Sequence, residues 1–148
     1  MVLAANFLGE KLTPLVIGKA AKPRCFKNIK KENLPVIWRN NKKAWMKKNL
    51  FKEWLEDLNK MFAQQGRKIF LFLANSSSHC EMALSNIKIH FLPANTTSIC
   101  QPLDQGIIKC FKGYYRKKLL LNMISKVDDN SQSSQINLPE ANVLDAVY

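Results

Sequence analysis

Residues Ile69-Phe70-Leu71-Phe72-Leu73-Ala74 are six apolar residues in a row with no polar alternation. A strand that reads this way is expected to be covered on both faces, as in sheets flanked by helices on either side. The segment before it strengthens that reading. From Asn49 to Gln65, Leu50, Phe51, Trp54, Leu55, Leu58, Met61 and Phe62 recur at the three-and-four spacing of one buried helical face. Asn49 is the expected N-cap and Gly66 the expected C′ stop. Downstream, Ile87 to Leu92 reads as a second strand, and Gln105 to about Ser125 as a second helix with apolar residues at 107, 108, 111, 115, 119 and 123. A short helix over His79–Leu84 and a turn-rich loop over Pro93–Ser98 fill the interval. Alternating strands and helices predict an α/β fold.

The remainder is less regular. Val2–Phe7 and Leu12–Ile17 are apolar runs either side of Gly9-Glu10-Lys11, the pattern of a hairpin. Residues 19–48 carry eleven Lys and Arg among Pro and Asn, and read as a long basic loop with a short strand around Leu34–Trp38. Loops of that length tend to be functional. Asp128–Gln135 is polar, and Pro139-Glu140-Ala141 would open a last helix ending at Tyr148. The expected organisation is one domain over 1–126 and a polar segment with a short C-terminal helix over 127–148.

The chain has 148 residues, 47% of them hydrophobic, and a formal charge of +12. That is enough apolar material for a core and too much for a disordered basic tail. No run approaches the ~18 apolar residues of a membrane span, and Met1–Leu12 lacks the basic start of a signal peptide. Cys25, Cys80, Cys100 and Cys110 stand singly, with only His79 and His90 beside them. No zinc spacing is present, and four reduced, mostly buried thiols of an intracellular protein are expected. A charge of +12 favours a polyanionic partner, with nucleic acid ahead of an acidic membrane surface.

Two loops follow the two buried strands, at the carboxyl ends where ligands of open α/β sheets bind. One is Ala74–His79, the other Asn95–Gly106. Taken alone, Asp104 reads as an N-cap or a dipole-compensating carboxylate, and His79 as a structural histidine. Ser76, Ser77 and Ser78 lie beside His79, yet no Gly-x-Ser-x-Gly turn exists and no acid is placed to orient the ring, which excludes a serine nucleophile. A Gly-rich phosphate loop is absent as well.

Five motifs in fixed order decide between these readings: Leu15-Val16-Ile17-Gly18-Lys19; Pro23-Arg24-Cys25-Phe26; Lys42-Lys43-Ala44-Trp45-Met46; Leu92-Pro93-x-Asn95-Thr96-Thr97-Ser98; and Gln101-Pro102-Leu103-Asp104-Gln105-Gly106. Together they resemble the DDE endonuclease domain of Tigger/pogo-type transposases and of their Tigger-derived, Jerky and centromere protein B-like relatives. The resemblance runs from about Val2 to the C-terminus. It implies a ribonuclease-H-like mixed sheet flanked by helices, DNA as partner and a nuclear location. It also implies three acids holding two Mg²⁺ ions, which at ~3.5–4 Å separation activate the attacking oxygen and stabilise the leaving one.

Carried over position by position, the resemblance puts Ala74 where the second acid belongs, matches Asn75 and His79, and retains Asp104 as the third acid. The first acid, and the strand bearing it, would lie upstream of Met1. The expectation is therefore a sheet lacking its first strand, Asp104 as a vestigial and at best weak metal ligand beside Asn75 and His79, no bound cofactor, and no strand cleavage. The resemblance also makes a phosphate-contacting role the favoured reading of Lys22, Arg24, Lys27, Lys42 and Lys43 in the loop and of Lys109, Lys112, Arg116, Lys117 and Lys118 on the late helix. DNA contact would be largely sequence-independent, with self-association through open sheet edges. Two other readings stand beside it: a protein-interaction module whose sheet pairs with another chain, and a transposon remnant with no selected function.

Overall fold

In the computed structural model, which describes residues 1–129 and 142–147, the helix read around Asn49–Gln65 is the element on which the rest is assembled. This helix, α1, spans Lys48–Gln64 and buries Phe51, Trp54, Leu55, Leu58 and Phe62. Gly66 adopts φ +65, a conformation glycine takes without penalty. Its N–H bonds Ala63 O, and that of Arg67 bonds Phe62 O, ending the helix. The N-terminus differs from expectation. Lys47, extended at φ −122 and ψ 156, precedes the first turn with no side-chain cap. The Phe51 N–H bonds Lys47 O at 2.9 Å, which draws the helix start back one residue and leaves Asn49 inside the first turn.

Two separate two-stranded parallel sheets rest on α1. In one, β1 (Leu15–Gly18) pairs with β2 (Ile37–Asn40), with Leu15 opposite Ile37 and Gly18 opposite Asn40. In the other, β3 (Ile69–Leu73) pairs with β4 (Ile87–Phe91), with Ile69 opposite Ile87 and Leu73 opposite Phe91. Among the described residues no ladder joins the two sheets. They meet through side chains: Leu15 and Ile17 from one and Ile87 from the other share a buried cluster with the α1 residues, flanked by Ile69, Leu71, Leu73 and Ile89. The N-terminal hairpin is reduced to bridges Val2–Leu15 and Ala5–Lys11, around a turn in which Asn6 Oδ1 accepts the N–H groups of Leu8 and Glu10.

The basic loop is folded rather than open. Short 3₁₀ turns at Arg24–Phe26 and Lys31–Asn33 wrap a second small core of Phe26, Leu34 and Trp38. Phe26 meets Trp38 edge-on at 5.0 Å. The strand read at Leu34–Trp38 lies slightly later, as β2.

Four expectations are corrected. First, β3 is covered on one face only. Ile69, Leu71 and Leu73 pack towards α1, while Phe70 and Phe72 are 66% and 61% exposed. They lie beside Lys88, whose Nζ is 5.7 Å from the Phe70 centroid, and His90, edge-on to Phe72 at 5.5 Å. Second, residues 79–84 form no helix. Cys80, Met82 and Leu84 instead alternate towards the core while Glu81 and Ala83 face outwards, a period of two rather than 3.6. Third, the late helix, α3 (Ile108–Asp129), has no fully buried side chain among those described: Phe111, Tyr114, Tyr115, Leu120, Leu121 and Ile124 are exposed, and Ile108, Leu119 and Met123 are only half-buried. Fourth, Cys25 and Cys80 are half-buried and Cys100 and Cys110 exposed, all four as free thiols.

The chain also forms a short helix α2 (Thr97–Cys100) within the stretch read as a loop, and a last helix α4 (Val143–Val147). Most of the polar segment read at 128–135, and the helix start read at Pro139–Ala141, lie outside the described residues. No helix among the described residues is long and apolar enough to cross a membrane.

Candidate nucleic-acid interface

The loop after β3 turns back on itself. The His79 N–H bonds Ser76 O at 2.9 Å, Ser76 and Ser78 hydroxyls share a 3.0 Å hydrogen bond, and His79 Nδ1 lies 2.7 Å from Ala74 O. The imidazole stacks on Phe51 of α1, with centroids 4.5 Å apart and planes at 27°. The loop is thereby fastened to the first turn of the central helix. Ala74 occupies the end of β3 with a methyl group, and Asn75 points to solvent.

Asp104 takes no part in that fastening. It sits in a wide turn, Leu103–Ile107, interrupted by Gln105 at ψ 34 and Gly106 at φ +120. A residue at φ +120 is one that glycine alone accepts easily. Asp104 is exposed and does not cap α3, which begins four residues later at Ile108. Among the described residues its carboxylate makes no hydrogen bond or ion pair with Asn75, His79 or any other group, and no three His, Cys, Asp or Glu side chains approach closely enough to hold a metal ion. Mg²⁺ requires several hard oxygen ligands. Ala74 offers only a carbonyl, already engaged by His79. These donors do not fit a two-metal centre.

The cations fare differently. Lys22, Arg24 and Lys27 project from the turn around buried Phe26, Lys42 and Lys43 from the turn after β2, and Lys109, Lys112, Arg116, Lys117 and Lys118 from α3; all are exposed. Lys109, Lys112 and Arg116, three and four residues apart, form one stripe along the helix. Three acids are used elsewhere: Glu53 and Asp57 pair with Arg39, and Glu10 with Arg67. Among the described residues no ion pair engages Lys22, Arg24, Lys27, Lys42, Lys43, Lys109, Lys112, Arg116 or Lys117. The arrangement is a set of uncommitted positive charges on several elements, which suits repeated phosphates better than one small anion.

One residue between these cations was not singled out by pattern. Trp45 stands in the turn after β2, 72% exposed. The signal was its place in Asn41-Lys42-Lys43-Ala44-Trp45, where a large aromatic follows two lysines in a polar turn.

Across its whole length, residues 1–148, the chain matches the family of DDE superfamily endonucleases. It is 36% identical to Tigger transposable element-derived protein 4 of Mus musculus over 89% of this chain and 26% of that protein. It is 30% identical to major centromere autoantigen B of Homo sapiens over 95% and 23%. With ARS-binding protein 1 of Schizosaccharomyces pombe it shares 32% identity over 79% and 24%. The chain spans about a quarter of the length of these relatives. No solved structure matches it.

Proposed function

The chain belongs to the DDE superfamily endonuclease family, and from that premise we propose that it is a transposase-derived domain that binds DNA and does not cut it. The observation that carries the binding half is the set of exposed cations, Lys22, Arg24 and Lys27, Lys42 and Lys43, and Lys109, Lys112, Arg116 and Lys117 of α3, none of them in an ion pair among the described residues. A relative named as ARS-binding supports the same reading. The contacts are to phosphates, so the binding is largely indifferent to base sequence, and its place is the nucleus. Ala74 at the end of β3 carries the other half: a methyl group there cannot ligate Mg²⁺, and Asp104, Asn75 and His79 remain as vestiges of a catalytic set. In this reading the two parallel sheets on α1 are the flanks of a ribonuclease-H-like sheet, residues 1–126 with the basic loop 19–48 form the partial DDE unit, and 127–148 is an appended polar segment.

The test is DNA affinity against salt. Each neutralised phosphate contributes about −0.9 to the slope of log K against log salt, and a slope reflecting several phosphates is expected on duplexes of unrelated sequence. An affinity indifferent to salt would overturn the reading. A protein-interaction module is the second reading, favoured by Phe70 and Phe72 on the uncovered face of β3.

A further inference from the structure

The turn between β2 and α1 holds its exposed indole in a defined place. Asn41 is anchored by its N–H to Gly18 O at the end of β1, at 3.0 Å. Its side-chain Oδ1 accepts the N–H groups of Lys43 and Trp45 at 3.1 and 3.3 Å, and its Nδ2 donates to Trp45 O at 2.6 Å. The Ala44 N–H closes the turn onto Asn41 O at 2.9 Å, with Ala44 at φ +55, a left-handed conformation unfavourable for a residue with a Cβ. One asparagine therefore fixes the backbone on both sides of Trp45. The other two tryptophans, Trp38 and Trp54, are each 5% exposed. Lys42, Lys43, Lys47 and Lys48 surround Trp45 in sequence, exposed and outside every ion pair among the described residues.

An exposed indole with four exposed lysines within three residues of it in the chain matches one chemistry closely. A nucleotide presents a π-face to stack on an aromatic ring and a phosphate to meet a cation, and non-specific single-strand binders combine these two elements. An apolar protein partner would want a hydrophobic surround in place of four desolvated lysines. Inside a duplex both faces of each base are already stacked, so away from duplex ends the ring needs a base that is unpaired. We propose that Trp45 is a stacking platform for an unpaired nucleobase, with the lysines of the same turn holding the neighbouring phosphates, and that the domain consequently prefers single-stranded DNA to duplex. This deepens the DNA-binding reading and rests on it.

The full chain titrated with a short oligothymidylate, and separately with a blunt duplex of equal length, tests it. Because Trp38 and Trp54 are buried, accessible tryptophan emission reports Trp45, and stacking is expected to quench it with the oligothymidylate. Trp45→Ala should weaken oligothymidylate binding about fivefold to a hundredfold and leave duplex binding and the thermal transition unchanged, while Trp45→Phe retains most of the affinity. If wild-type binding is salt-dependent on both DNAs but Trp45→Ala changes neither, the stacking platform falls and the DNA-binding reading stands. If neither DNA binds, both fall. A blue shift of Trp45 emission with protein concentration alone, removed by Trp45→Ala, would assign the ring to a protein contact and overturn the proposal.

Discussion

Gly18 and Trp38 sit on neighbouring strands so closely that a Cβ at residue 18 would lie 2.2 Å from Trp38 Cζ2 and 2.4 Å from Cη2. The indole crosses the vacant position to donate its Nε1–H to Ala20 O at 3.3 Å and to pack on Phe26. Gly18→Ala is expected to displace the ring and cost about 1–3 kcal/mol, the usual range for an overfilled core. The thermal midpoint should fall by several degrees. An unchanged midpoint would show that the indole has room to move.

Phe51 is 1% exposed and is the surface on which His79 stacks. Phe51→Ala should cost about 3–5 kcal/mol, a large part of the ~5–15 kcal/mol of an ordinary domain. His79→Ala removes only the stack and the hydrogen bond to Ala74 O. Amide exchange should then rise over residues 74–79 while the β3–β4 pairing stays protected; exchange unchanged in that loop would mean that the histidine does not hold it.

Incubation of supercoiled plasmid with the chain and Mg²⁺ or Mn²⁺ is expected to give no nicked product, because Ala74 lacks an oxygen ligand and Asp104 stands alone. Ala74→Asp should not confer cleavage either, since among the described residues the loop bearing Asp104 makes no polar contact with the end of β3. Metal-dependent nicking abolished by Asp104→Ala would overturn this.

The α3 stripe gives a quantitative expectation. Replacing Lys109, Lys112 and Arg116 together with Ala should reduce the salt slope of DNA binding by up to about 0.9 per lost phosphate contact. Near-ultraviolet circular dichroism of the tryptophans should not change, because no α3 residue belongs to either core. An unaltered slope would remove α3 from the interface.

The uncovered face of β3 predicts self-association. Phe70→Glu with Phe72→Thr places a carboxylate beside Lys88 and takes two exposed aromatic rings off the surface. Sedimentation should show the double variant smaller and more monodisperse than wild type. A wild-type chain that already sediments as a monomer would show that this face stays uncovered.

The parts of the fold legible in the sequence are those whose pattern is enforced by one burial geometry. The three-and-four spacing of Phe51, Trp54, Leu55, Leu58 and Phe62 specified α1 to within a residue, and Ile69–Leu73 and Ile87–Phe91 emerged as strands. What misled was apolar content without a partner. Phe70 and Phe72 read as buried because their neighbours are apolar, yet nothing in composition says whether a second layer is present to cover them. The same holds for Phe111 and Tyr115, whose spacing has the right period for a buried face although both rings stay exposed. Cys80, Met82 and Leu84 were legible in principle, since alternation was there to be counted. The family was legible from five short motifs. That Asp104 makes no polar contact with the β3 loop among the described residues was not, because motif order carries no contacts.

With α3 exposed along most of its length, its helicity is not underwritten by tertiary packing. Isolated helices are marginal in water, and the two like-charge pairs Lys109–Lys112 and Lys112–Arg116 on one stripe subtract a few tenths of a kcal/mol per pair. A polyanion lying along that stripe removes the repulsion and favours the helical state. Helix formation and ligand capture are then a single equilibrium, so the affinity measured for DNA is the intrinsic affinity multiplied by the fraction of chains in which α3 is already wound, and warming weakens binding by thinning that population.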